Sequence, residues 1–167
     1  MIVLIIIALL IIMTLVAIVN MYYMYKHAHY NNYSSISFKE SVSLTDMPII
    51  TFISKGNKIN MLLDTGCTIT SFDVGCKDLL DFRISDQTNF TQMGLEGNRF
   101  KVDGGLCQMQ YDKYNFIFRC TITDLSQAFS DIKKSTGVQL HGILGTEFFI
   151  KYKYVLDFEE FKVKFRK

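Results

Sequence analysis

The first 25 residues contain no charged side chain, so all 18 Lys and Arg and all 16 Asp and Glu fall in the remainder of the 167-residue chain. That remainder is nearly neutral, which argues against the strongly basic face that binds nucleic acid through its phosphates. There is no CxxC pair. The four cysteines, Cys67, Cys76, Cys107 and Cys120, have neither zinc-site spacing nor the density of a disulfide scaffold. They read as free thiols, although an even number permits disulfides in an oxidising compartment. His27 and His29 stand two apart with no third ligand beside them, so they read as solvated linker rather than metal ligands. No internal repeat or low-complexity tract is present, and the length accommodates one domain plus an appendage rather than two full domains.

The chain begins with a long apolar run. From Ile2 to Val19 every residue except Thr14 is apolar, and after Asn20 the run resumes through Met24. About 20 helical residues cross the hydrocarbon core of a bilayer, so the run is long enough to span. A cleaved secretory signal would show a positive n-region and a small-x-small cleavage site, and neither is evident. Tyr22, Tyr23, Tyr25 and Tyr30 then read as an interfacial aromatic belt. Lys26 follows the span with no Lys or Arg before it, which places the soluble domain on the cytoplasmic side of a single-pass membrane protein. The resulting division is a transmembrane anchor at 1–25, a juxtamembrane linker at 26–47 and a folded domain at 48–167. Within the linker, Asn31 to Ser43 is polar, Ser-rich and aperiodic, as a tether would be.

Beyond Pro48 the patterns are those of strands. Pro48 to Ser54 and Ile59 to Leu63 flank the turn-forming Lys55-Gly56-Asn57-Lys58, which predicts a hairpin whose returning strand ends at Asp64. Phe90 to Met93 and Arg99 to Val102 flank the glycine-bearing Gly94 to Asn98 and predict a second hairpin. Leu106 to Tyr111 and Tyr114 to Ile122 are two further strands about a turn at Asp112-Lys113. One helix is expected from Gln127 to Lys134, capped by Ser126 and ended by Gly137. At the C-terminus Phe161, Val163 and Phe165 alternate with Lys162, Lys164 and Arg166, a strand with one dry face and one solvated face rather than a nucleic-acid or lipid contact.

Leu62-Leu63-Asp64-Thr65-Gly66 places a carboxylate at the end of a dry strand, where a turn can expose it. By itself the tripeptide reads as a strand-ending turn, because Asp and Gly are common turn formers. The second half of the chain adds Leu140-His141-Gly142-Ile143-Leu144-Gly145-Thr146-Glu147-Phe148-Phe149 and then Tyr154-Val155-Leu156-Asp157-Phe158. In that combination and order the chain resembles the single-domain retropepsin-like aspartic proteases, over nearly all of Pro48 to Lys167.

The resemblance implies an all-β fold, a small closed retropepsin-like (acid protease) barrel with one or two short helices, here preceded by a single transmembrane helix. It implies Asp64 as the catalytic carboxylate, Thr65 in hydrogen bonds that hold the active-site loops, and Gly66 where the backbone passes close by. Gly142, Ile143, Leu144 and Gly145 would pack beneath that loop, and Met93, Gly94, Leu95, Glu96, Gly97 and Asn98 would form a flap over a peptide. Cys67 departs from the Ala or Ser common at its position and reads as a small buried filler rather than a redox switch.

The chemistry needs two carboxylates sharing one proton, because two like charges a few ångströms apart cannot both ionise at ordinary pH. No other aspartate of the chain is followed by Thr-Gly or Ser-Gly. The second carboxylate is therefore expected from Asp64 of another copy in a symmetric homodimer. A membrane-anchored endopeptidase acting on polypeptides follows, with no metal or organic cofactor. The alternatives are a non-catalytic peptide-binding or scaffold module on the same barrel, and a Cys-His hydrolase built on His141 with Cys67 or Cys107, for which no local motif speaks.

Overall fold

The computed structural model describes residues 2–30, 33–84, 90–93 and 99–166, with side chains at 7, 9–25, 34–84 and 102–166. The chain divides into two units, Met1–Ser34 with Phe165–Lys167, and Ser35–Lys164. In chain order the elements are α1 (Ile2–Tyr30), β1 (Tyr33–Ser37), α2 (Lys39–Thr45), β2 (Ile49–Ser54), β3 (Asn57–Leu63) and β4 (Ser71–Asp73). A 3-10 turn (Val74–Leu79) leads to β5 (Asp81–Ile84), β6 (Phe90–Met93), β7 (Arg99–Tyr111) and β8 (Tyr114–Thr123). The chain ends with α3 (Ser126–Thr136), β9 (Gly142–Leu144), α4 (Thr146–Tyr152), β10 (Val155–Asp157) and β11 (Lys162–Arg166).

In the first unit, α1 runs for 29 residues, about 44 Å at the rise of an α-helix. Its described side chains, continuous only from 9 to 25, are all exposed. Among the described residues no helix is long and apolar enough to cross a membrane. The one hydroxyl between Ile2 and Val19 is satisfied inside the helix, since Thr14 Oγ1 donates to the Ile11 carbonyl at 2.8 Å.

In the second unit, β2 and β3 form the expected hairpin. Its loop is tighter than the four residues predicted: Ser54 pairs with Asn57, leaving Lys55 and Gly56 in the turn, both at positive φ (46° and 78°). That geometry matches the right-handed twist of the flanking strands. The main sheet then runs β2-β3-β9-β4-β8-β7 and closes where Ile53 of β2 pairs with Gln110 of β7, a closed six-stranded barrel in a mostly β unit. Burial alternates along β2, β3 and β8, as a barrel wall with one dry face requires. Phe52 of β2, Phe116 and Phe118 of β8 and Phe148 of α4 meet inside, with Phe116–Phe148 and Phe118–Phe148 centroids 5.7 and 4.9 Å apart. Phe148 anchors α4 to the barrel, which matters for the site below.

Several expectations are corrected. The strands predicted separately at Arg99–Val102 and Leu106–Tyr111 are one 13-residue strand, β7. Asp103-Gly104-Gly105 reads as a break, but at Gly105 an added Cβ would lie 2.2 Å from the Arg83 carbonyl oxygen and 2.7 Å from the Phe82 ring. The glycine serves the close approach of β5. Ser126 does not cap α3: Leu125 holds that position, while Asp124 Oδ1 accepts from the Ser126 N–H and hydroxyl. Gly137 ends α3 in the left-handed conformation, as expected.

Within the segment read as a tether, Asn31 to Ser43, the described residues 33–43 carry β1 and the start of α2. Ile36 and Phe38 are buried, the Phe38 N–H donates to the Phe161 carbonyl at 2.9 Å, and its ring meets Phe158 edge-on at 5.5 Å. The serines and threonines that suggest a linker are spent on local bonds: Ser41 Oγ donates to the Phe38 and Met47 carbonyls and accepts from the Ile49 N–H, and Thr45 Oγ1 donates to the Ser41 carbonyl. With α2 included, the unit holds three α-helices and a 3-10 turn among the described residues, where one or two helices were expected.

Candidate active site

Strand β3 buries Ile59, Met61 and Leu63 on one face and then ends, delivering Asp64 half-buried at the rim while Thr65 and Gly66 stand exposed. The Asp64 N–H donates to the Leu144 carbonyl at 3.1 Å, continuing the parallel pairing of β3 with β9. Its carboxylate turns back on the loop, where Oδ1 accepts the Gly66 N–H at 2.8 Å. The carboxyl group is thus held by a backbone donor beside the tip of the loop.

The loop 64–70 joins β3 to β4, but these strands are not neighbours. Strand β9 lies between them, parallel to β3 and antiparallel to β4. The loop must therefore arch over the end of β9, and it is tied there at several points. The Thr146 and Glu147 N–H groups donate to the Cys67 and Thr68 carbonyls at 2.8 and 3.0 Å, and the Gly145 N–H donates to Thr70 Oγ1 at 3.2 Å. The first amides of α4 have no side-chain cap, and the loop carbonyls satisfy them instead. An added Cβ on Gly145 would lie 2.7 Å from the Ile69 backbone, and one on Gly142 would lie 2.6 Å from the Ser71 carbonyl oxygen. Gly142, Ile143, Leu144 and Gly145 thus lie against the Asp64 loop and β4.

The flap positions divide. Met93 ends β6, whose residues 90–93 pair antiparallel with 102–99 of β7, so the two arms of the hairpin are in register. Gly94, Leu95, Glu96, Gly97 and Asn98 lie outside the described residues.

The other described aspartates with polar partners are committed elsewhere. Asp73 accepts from the Gly75 and Leu125 N–H groups, Asp157 is held by Lys164 at 2.6 Å, and Asp103 and Asp131 pair with Lys77 and Lys134. The hydrogen bond from Lys164 holds the Asp157 carboxyl below its usual range. Among the described residues no three His, Cys, Asp or Glu side chains converge to hold a metal ion.

The four cysteines are free. Burial pushes the Cys67 thiol up, and the charge of Asp64 adds to the effect, while its proton goes to the Ile69 carbonyl at 3.0 Å. Cys107 is fully buried. At Cys67 burial works against the thiolate that a Cys-His hydrolase requires. Beside the loop, Thr68, Ile69, Thr146, Glu147, Ile150 and Lys151 line an open groove of about 550 Å³ that does not include Asp64.

Two contributors escape sequence reasoning. Thr70 is buried and braces Gly145 across 75 residues of chain. His141, in the loop entering β9, is half-buried: its Nδ1 accepts the Asn60 N–H at 3.0 Å, and its own N–H donates to the Asn60 carbonyl at 2.9 Å. Burial holds its imidazole below the ordinary histidine range, with Asp73 working in the opposite direction. No local signal marks either residue, because each acts on a segment that only the sheet order brings near.

No protein-family model matches the chain. No curated protein matches it in sequence. Among solved structures the chain is similar to EIAV protease complexed with the inhibitor HBY-793, at 15% sequence identity and a TM-score of 0.47, over 63% of this chain and 86% of that one.

Proposed function

We propose that the chain is a retropepsin-like aspartic endopeptidase that acts as a homodimer. The observation that carries this reading is the placement of Asp64: a carboxylate at the rim of a closed barrel, on a loop whose tip is exposed and whose base is tied to β9 and α4. The engagement of Asp73, Asp103, Asp131 and Asp157 elsewhere supports a second copy as the source of the second carboxylate. In the dimer two Asp64 side chains share one proton. The ionised member takes a proton from water as it attacks the peptide carbonyl, and the protonated member donates to the developing oxyanion. The substrate lies as an extended strand beneath the β6–β7 hairpin, its backbone bonds giving affinity and side-chain pockets giving selectivity.

The dimer is tested by mixing. Full-length wild type in detergent, titrated with chains carrying Asp64→Asn, forms heterodimers with one carboxylate and one amide. For random pairing at equal amounts, only about a quarter of all dimers retain both carboxylates, so activity falls as the square of the wild-type fraction. A strictly linear fall with monomers in sedimentation defeats the dimeric mechanism.

The apolar, internally satisfied α1 anchors the chain in a membrane in this reading, and Lys26 after it favours a cytoplasmic catalytic unit. The full chain is expected to stay in the membrane pellet after alkaline carbonate washing. Its recovery in the soluble fraction at a mass lacking the N-terminus would show a cleaved signal instead.

A further inference from the structure

Asn60 lies four residues before Asp64 on β3, and His141 lies four residues before Gly145 on the chain entering β9. Between them the parallel ladder begins in an unusual way. The His141 N–H donates to the Asn60 carbonyl as a strand residue would, but the Asn60 N–H is received by the imidazole Nδ1 rather than by a main-chain carbonyl. The same histidine carbonyl accepts the Asp73 N–H at 2.9 Å and the Cys76 thiol at 3.1 Å, so His141 joins β3, β4 and the 3-10 turn at one point. Asn60 is fixed from its other side as well, by Thr51 Oγ1 and the Gln139 carbonyl.

We propose that His141 is a positioning residue for Asp64 that works only as the neutral imidazole, so that its protonation is an acid-side switch on the site. Nδ1 must be unprotonated to accept the Asn60 N–H. A proton placed there sets donor against donor, releases the start of the β3–β9 ladder, and loosens the register that carries Asp64 against Leu144. The titratable group acting on the imidazole is Asp73 from β4, whose carboxylate oxygens already accept from Gly75 and Leu125, while the Cys76 thiol of the 3-10 turn meets the His141 carbonyl rather than the ring. From β3 the ring meets the uncharged Asn60.

The sign follows from the depressed imidazole. Above the ordinary histidine value near 6.5 both folded and unfolded chains are neutral at this position, and the clamp contributes fully. Below it the unfolded chain binds the proton first, so stability falls with pH. The clamp itself opens as pH drops through the folded value, which lies lower still.

The catalytic arm rests on the aspartic-protease reading of Asp64, and the stability arm rests on the clamp geometry alone. The test compares full-length wild type in detergent with His141→Asn, whose Oδ1 can accept the same N–H without titrating, and His141→Phe, which has no acceptor. Between pH 7.5 and 5 the wild-type Tm is expected to fall about 3 to 6 °C further than that of His141→Asn. His141→Phe is expected to be low at both pH values. In peptide cleavage, with each protein scaled to its own maximum, the acid limb of wild type should lie at higher pH than that of His141→Asn, with the loss in kcat rather than KM. Superposable Tm–pH curves for wild type and His141→Asn overturn the switch. Distinct Tm curves with superposable activity profiles overturn the positioning role. Distinct Tm curves with no cleavage by wild type support the clamp and overturn the protease reading.

Discussion

Replacing Asp64 with Asn is expected to lower peptide cleavage by about 10³-fold or more while the fold survives, since a positioned acid-base group commonly contributes 10²–10⁴-fold and here both halves of the dyad are lost together. The amide can neither take a proton from the attacking water nor share one with its partner. Its Oδ1 can still accept the Gly66 N–H that Asp64 Oδ1 now receives, so the loop keeps its local bond. The measurement is cleavage of a peptide library by the full-length chain and its variant, with circular dichroism confirming equal Tm. Unchanged turnover removes Asp64 from the mechanism, and an equal loss of fold and activity makes the residue structural.

Gly145→Ala is expected to cost about 3 kcal/mol of stability and to lower Tm by about 10 °C. The new methyl group meets the Ile69 backbone at 2.7 Å, and backbone cannot rotate away as a side chain can. Moving the loop aside would strain three ties at once, from Gly145 to Thr70, Thr146 to Cys67 and Glu147 to Thr68. Activity should fall along with stability, because the same ties hold the loop that bears Asp64. Thermal unfolding followed by circular dichroism reads the effect. A variant as stable and active as wild type would mean that the loop and α4 can separate without consequence.

The elements legible in the sequence are those made by neighbouring residues. The hairpin ending at Asp64 follows from alternation on both sides of a glycine-bearing turn, and the C-terminus of α3 follows from Gly137, whose positive φ of 76° an ordinary side chain resists. The long helix α1 follows from an apolar run interrupted only at Thr14 and Asn20. Where local chemistry is ambiguous the same reasoning errs. Asp103-Gly104-Gly105, left between two predicted strands, lies inside one strand, and the serines near Ser41 suggest a tether and instead fasten α2.

What the sequence by itself determined is therefore a carboxylate at the end of a dry strand and the short-range turns around it, because dihedral preference and alternation act over a few residues. The tertiary structure alone decided that β9 inserts between β3 and β4, that Ile53 meets Gln110 to close the barrel, that Thr70 receives the Gly145 N–H, and that His141 meets Asn60. These pairings join segments tens of residues apart. Each forms only when the whole barrel buries its apolar faces together and leaves the backbone groups between them no partner but one another.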